Sequence, residues 1–364
     1  MGQIFSERTR RKIKGNLSTY TQSLISRNPF PVWAYIFMTR DCNLACSYCY
    51  VTKTKFEEMG IKGASDDMNI DELKQAVDKL WGLGTRYVSF FGGEPTIRRR
   101  ELVEIVRYAS FDKSMFTQLP TNGTLLKHEG YINDLGRAGI DLIDVSLDSL
   151  ARFDESRKDM YHRESLFDNL LEGREQHGFA IKTNYVITPK NPEQLEGILE
   201  FGKNNGIIVS IRLAMKPPIT PPNWTEPQGI YFSSGGEDTQ LIDDLANKII
   251  EKKKEGYAVS EPVEFYEAMK KWIRGEKDFW KCDAGRYHLT INNNGMVMQC
   301  ALLTDDLGLH FRELDRDFAK KLQRQVDENL ARCNDNCLAA AYFCGQHYRR
   351  HPQSLFRQGF LAIK

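Results

Sequence analysis

Six short apolar or β-branched runs, Val32–Met38, Tyr87–Phe91, Met115–Leu119, Leu142–Leu147, Ile181–Ile187 and Ile207–Leu213, constrain this chain more than any other feature. Amphipathic stretches separate them, at Ile70–Trp81, Arg99–Tyr108, Leu126–Ala138, Ser165–His177 and Pro192–Asn205. A strand-then-helix alternation of this length predicts an α/β fold: a parallel sheet with its helices outside, closed or partly closed into a barrel. Chemistry in such an architecture sits at the carboxyl ends of the strands.

The unusual residues fall at those ends. Cys42, Cys46 and Cys49, spaced C-x3-C-x2-C with Tyr48 before the last, follow the first run. Gly92-Gly93-Glu94-Pro95-Thr96 follows the second and Thr121-Asn122-Gly123-Thr124 the third. Ser146 and Asp148 close the fourth, Asn184 lies within the fifth, and Arg212 is near the end of the sixth. Thiolates are the soft ligands of iron–sulfur clusters, and three of them on a short loop can hold four irons while leaving one iron open. Gly92 and Gly93 let backbone approach a ligand without a Cβ, and Glu94 can accept a charge-assisted hydrogen bond from an ammonium group. Pro95 stiffens the exit from that turn. Asn122, Ser146 and Asp148 offer amide, hydroxyl and carboxylate groups on the same rim, where turn or cap roles compete with ligand contact.

Composition bounds the function. The 364 residues are 41% hydrophobic and 27% charged, with a formal net charge of +1. That balance carries no nucleic-acid footprint, and no apolar run approaches the roughly 20 residues that span a bilayer. With no secretory signal at the start, a cytoplasmic location is expected, where eight cysteines bind metal or do redox chemistry more readily than they pair. Residues 1–27 form a basic amphipathic segment, with Arg8, Arg10, Arg11, Lys12, Lys14 and Arg27 against Glu7. It reads as a solvated helix packed on the main domain, or as a helix lying on an anionic membrane surface.

The C-x3-C-x2-C loop, followed about forty residues on by Gly-Gly-Glu-Pro, resembles the radical S-adenosylmethionine (radical SAM) enzymes. The resemblance covers Val32 to Leu213 and implies a partial (β/α)6 TIM-like barrel. It implies that Cys42, Cys46 and Cys49 ligate a [4Fe–4S] cluster whose open iron binds the methionine moiety of S-adenosylmethionine, with Tyr48 against the adenine. The remaining cofactor contacts it implies are Gly92, Gly93, Glu94, Pro95, Asn122, Ser146, Asp148, Asn184 and Arg212. Arg157 resembles an arginine that follows the Ser-Leu-Asp element in several subfamilies.

Beyond the proline cluster at Pro217–Pro222, amphipathic helices are expected at Thr239–Glu255 and Val263–Gly275. Five more cysteines follow: Cys282, Cys300, Cys333, Cys337 and Cys344. Cys282, Gly295 and Cys300 read C-x12-G-x4-C, around an expected hairpin of Tyr287–Ile291 and Gly295–Gln299. This resembles the auxiliary-cluster region called SPASM, or its shortened form, twitch. The full pattern carries cysteines for two auxiliary clusters; the five here suffice for one four-iron cluster with a thiolate to spare, and a zinc site is the competing reading. The expected division is 1–31 basic segment, 32–215 barrel, 216–281 linker and helices, and 282–364 auxiliary-cluster extension.

The resemblance implies reductive cleavage of S-adenosylmethionine to a 5′-deoxyadenosyl radical that abstracts a substrate hydrogen, with the auxiliary [4Fe–4S] cluster serving electron transfer or substrate binding. A small natural product, cofactor precursor or peptide is the expected substrate, and a flavodoxin- or ferredoxin-type protein the electron donor. Ala301 stands where sulfatase-maturing members carry an aspartate base, which disfavours that reaction. A lipid-modifying radical SAM enzyme at the membrane surface and a non-enzymatic electron-transfer module are the alternatives. The tail from Tyr348 to Lys364 is expected to cross the barrel mouth or lie solvated.

Overall fold

A computed structural model describes residues 6–25, 30–61, 66–128, 130–221, 223–333 and 337–351. The first half runs α1 (Glu7–Ile25), β1 (Trp33–Phe37), α2 (Lys53–Glu58), α3 (Ile70–Leu83), β2 (Tyr87–Phe91), α4 (Arg99–Arg107), β3 (Phe116–Thr121), α5 (Tyr131–Ala138) and β4 (Leu142–Ser146). The second continues with α6 (Leu166–His177), β5 (Ala180–Ile187), α7 (Leu195–Asn205), β6 (Ile208–Leu213), α8 (Thr239–Lys254) and α9 (Val263–Ile273). It ends with β7 (His288–Ile291), β8 (Val297–Met298), α10 (Phe318–Lys321), α11 (Gln323–Cys333) and α12 (Ala340–Arg350).

All six expected strands are present, and neighbours in sequence pair in parallel from β1 through β6. The sheet order is β6-β5-β4-β3-β2-β1-β7-β8, so it is open and not a closed barrel. An open sheet leaves two unpaired edges, which a folded chain must cover. On one side β7 pairs in parallel with β1 and turns antiparallel into β8 through Asn292–Gly295, where Gly295 takes a φ of +82° that a Cβ would oppose. On the other side, Val209 of β6 accepts from Ser260 and donates to Ala258, so the segment between α8 and α9 lines that edge. The expected linker therefore does structural work, and one continuous apolar core runs from Ala34 in β1 to Phe343 in α12.

The expected helix over Leu126–Ala138 begins only at Tyr131. Gly130 adopts a φ of +81°, a left-handed conformation that interrupts a right-handed helix, and residues 124–127 form turns instead.

α1 packs beneath the barrel, at the amino ends of the strands. Buried Asp141, just before β4, accepts hydrogen bonds from Thr9 Oγ1 (2.6 Å), Lys12 Nζ (2.7 Å) and Thr117 N (3.0 Å), while Ile13 packs with Phe116, Leu142 and Ala180. The buried part of the basic segment is thus engaged by the protein, and Arg11 and Lys14 stay exposed. Among the described residues no helix is long and apolar enough to cross a membrane. Removing one partner of a buried pair strands the other charge, so Asp141→Ala is expected to cost about 3–5 kcal/mol in denaturant unfolding. Adding Lys12→Met should restore part of that loss; equal stability of Asp141→Ala and the parent would show that the pair does not hold α1 in place.

Candidate active site

The cysteine loop leaves β1 and is held from below by Arg40. This fully buried guanidinium stacks between Phe37 (4.2 Å) and Phe56 (4.0 Å) and donates to Asn292 Oδ1 (2.7 and 3.1 Å) and Val51 O (3.0 Å). One side chain thereby ties the loop to α2 and to the β7–β8 turn, using the planar fork that lysine lacks.

The β2 turn comes close enough to the loop that only glycine fits. A Cβ on Gly93 would lie 2.2 Å from Asp41 O and 2.6 Å from Arg40 O, and one on Gly92 2.3 Å from Thr39 O. Backbone bonds from Gly93 N to Thr39 O (2.8 Å) and Glu94 N to Asp41 O (2.8 Å) clamp the two segments together.

Cys42, Cys46 and Cys49 line a cavity of about 340 Å³ at the carboxyl ends of the strands, together with Tyr48, Gly92, Gly93, Glu94, Asn122, Ser146, Asn184 and Arg212. Eight of the ten expected cofactor contacts therefore share one cavity wall with the three thiols, and Pro95 and Asp148 lie outside it. Pro95 is buried at the start of a short 3-10 turn. Asp148 is fully buried behind Tyr48, accepting from Tyr48 OH, from Ser156 Oγ (2.7 Å) and from Val186 N (3.3 Å), so its oxygens position the tyrosine.

Glu94 also works for the protein. Its Oε1 accepts from Thr96 N (3.1 Å), Thr96 Oγ1 (2.5 Å) and Thr121 Oγ1 (2.7 Å), and its Oε2 from Asn122 N (2.7 Å). Burial pushes its carboxyl above the ordinary range despite those donors. The carboxylate joins the glycine turn to the end of β3. Arg157, with a φ of +54°, is exposed, whereas the adjacent Lys158 turns into the cavity. Its Nζ lies 3.1 Å from Tyr48 OH and 5.0 Å from the ring centroid. Sequence reading missed Lys158 because it belongs to an irregular segment with no strand-end position to flag it.

The donor set suits an iron–sulfur cluster. The three sulfurs come from one loop, and the Leu44 N–H lies 3.4 Å from Cys42 Sγ. Burial pushes the Cys42 thiol up and that of Cys46 up to about 12. Among the described residues no three His, Cys, Asp or Glu side chains form a single-ion site.

The distal cysteines divide. Cys282, Cys300, Cys333 and Cys337 do not line the cavity, and burial pushes all four thiols up. Trp280 Nε1 donates to Cys337 O (2.9 Å), and Ala284 N lies 3.5 Å from Cys282 Sγ. Cys344, on α12, instead lines the cavity, among Glu261, Arg212 and Lys182. Tyr342 stands between the two groups: its hydroxyl accepts from Ala301 N (2.7 Å), beside Cys300, and its ring borders the cavity 6.4 Å from Tyr35. Tyr231 and Phe232 are buried, and Tyr231 OH donates to Tyr48 O (3.1 Å) from behind the cysteine loop. The tail beyond His351 lies outside the described residues.

Comparison with known proteins agrees with this geometry. Residues 36–202 match the model of the radical SAM superfamily. The AdoMet-dependent heme synthase of Methanosarcina barkeri is 25% identical over 354 residues, covering 88% of this chain and 95% of that protein. The Fe-coproporphyrin III synthase of the same organism is 28% identical over 197 residues, 53% of this chain and 45% of that protein, so the match spans about half of that relative's length. The crystal structure of Streptococcus suis SuiB bound to S-adenosylmethionine superposes with a TM-score of 0.61 at 16% identity, over 88% of this chain and 71% of that one, a likeness of fold. The partial barrel is common to both. Residues 36–202, just under half of the chain, form a radical SAM domain, and the chain is accordingly an enzyme whose cofactors are a [4Fe–4S] cluster and S-adenosylmethionine.

Proposed function

We propose that Cys42, Cys46 and Cys49 hold the cofactor-binding cluster and that Cys282, Cys300, Cys333 and Cys337 hold one auxiliary [4Fe–4S] cluster, in an oxidative reaction on a cofactor precursor or related small molecule. The single observation that carries this reading is the division of the eight thiols: Cys42, Cys46, Cys49 and Cys344 line the cavity, whereas Cys282, Cys300, Cys333 and Cys337 do not. The bound cofactors supply a 5′-deoxyadenosyl radical that takes a hydrogen atom from the substrate. The chain's own contribution is to bind, orient and exclude water. Gly92 and Gly93 admit the methionine portion against bare backbone, Tyr48 flanks the adenine, and Asn122, Ser146 and Asn184 complete the wall. Tyr342 and Tyr35 stand where an electron would pass from the cavity toward the auxiliary thiols.

A relative matched over nearly its whole length is named a heme synthase, which favours a cofactor precursor over a peptide. A flavodoxin- or ferredoxin-type donor and a cytoplasmic setting complete the proposal. Anaerobic reconstitution should yield about eight irons per chain, as expected for two four-iron clusters, and 5′-deoxyadenosine under reductant. Zinc in place of iron, with no cleavage product, would overturn it.

A further inference from the structure

Deep in the cavity, away from the cysteine loop, the barrel wall carries charged groups whose pairing within the protein is incomplete. Arg212, near the end of β6, is flanked by Glu261, but Glu261 already accepts from Ser210 Oγ (2.5 Å), Ile211 N (3.1 Å) and Tyr266 OH (2.9 Å). Arg212 Nη2 lies 3.9 Å from Glu261 Oε1, outside hydrogen-bond range, and donates to Ser210 Oγ at 2.7 Å, while Nε is buried with no partner. Next to it on the wall, Asn184 Oδ1 and Asp144 Oδ1 are also buried without partners. The other Asp144 oxygen is used, by Lys182 Nζ (2.9 Å) and Gln118 Nε2 (2.8 Å).

The wall thus presents a guanidinium whose Nε lacks an acceptor and two oxygens lacking a donor. Buried groups left in this state are costly, and a ligand that satisfies them recovers that cost. The complementary shape is a carboxylate, taken by the Arg212 fork, with an N–H or O–H donor beside it for Asn184 or Asp144. The cavity also has to hold the cofactor, and about 340 Å³ leaves room for only a short arm of anything larger.

We propose that Arg212, Asn184 and Asp144 form a substrate subsite that holds a carboxylate-bearing arm with a neighbouring hydrogen-bond donor. This deepens the reading above and rests on it, and it reassigns Arg212 and Asn184 from cofactor contacts to substrate contacts. Cys344 borders this subsite, which accounts for its separation from the other distal thiols.

The test uses N-acetylglycine and its neutral counterpart N-acetylglycinamide, with ligand-observed NMR on the reconstituted enzyme saturated with S-adenosylmethionine. The carboxylate should bind at least about tenfold more tightly than the amide, the scale of one charge-assisted hydrogen bond. Arg212→Gln should erase that preference and Arg212→Lys should keep part of it. Equal binding of the two probes by the parent enzyme, no binding of N-acetylglycine, or a preference that survives Arg212→Gln would overturn the proposal. Displacement of N-acetylglycine by S-adenosylmethionine would assign the wall to the cofactor and overturn it too. The parent comparison needs no variant to fold. Formation of 5′-deoxyadenosine by the parent enzyme without probe reports on the radical SAM reading separately, so the two can fail independently.

Discussion

Replacing Cys42, Cys46 and Cys49 together by alanine is expected to abolish 5′-deoxyadenosine formation while leaving about four irons on each chain. The three thiols share one loop on one cavity, and Cys282, Cys300, Cys333 and Cys337 lie off that cavity, with Ala284 N 3.5 Å from Cys282 Sγ. The two sets occupy separate places, so losing one leaves the other's ligands in position. Alanine at Cys337, buried within the distal group, is expected to remove the complementary half of the iron, while alanine at Cys344 leaves the iron content unchanged. Iron analysis with Mössbauer or electron paramagnetic resonance spectra reads each outcome. Loss of all iron from the triple variant would deny the auxiliary cluster; loss of iron from the Cys344 variant would make that residue a ligand.

The Gly93→Ala variant should lose at least about a hundredfold in cofactor cleavage, although the change adds a single methyl group. Its Cβ would fall 2.2 Å from Asp41 O and 2.6 Å from Arg40 O, and both are backbone atoms with no rotamer to escape into. Relief requires the cysteine loop and the β2 turn to part, breaking the 2.8 Å bonds from Gly93 N and Glu94 N, and a shift near 1 Å at a reacting centre carries about that penalty. Gly15, which has nothing within 4 Å of an added Cβ, is the matched control, and alanine there should be silent. Near-parental cleavage by Gly93→Ala would show that the two segments can separate without disturbing the site.

The expected strands were legible because their apolar runs are short, regularly spaced and interrupted by amphipathic stretches. The helix at Leu126 was not, since its periodicity continues through residues that Gly130, at a φ of +81°, sets apart from α5. The site shows the same split. Cys42, Gly92 and Asn122 announce themselves by residue type at strand ends. Asp148 carries the same kind of signal yet is turned inward to Tyr48, because a carboxylate's partner is set by what folds across from it, 100 residues away in this case. Lys158, Lys182 and Asp144 look like ordinary surface charges in sequence, and only the curvature of the sheet brings them into one interior.

Sequence alone determined the family-level chemistry of this protein: three thiols at fixed spacing, a glycine turn that admits backbone, and six strands to set them on one rim. Those are local properties, fixed by covalent spacing and side-chain type. Tertiary structure decided what depends on distance through space. It set β7 against the free edge of β1, separated Cys344 from the other four distal cysteines, used Glu94 and Asp148 to hold the site together, and left Arg212 facing the cavity with an incomplete set of partners. Spacing along the chain says which groups are available; whether a buried charge is spent on the protein or kept for a ligand depends on which other groups the fold brings within hydrogen-bond reach.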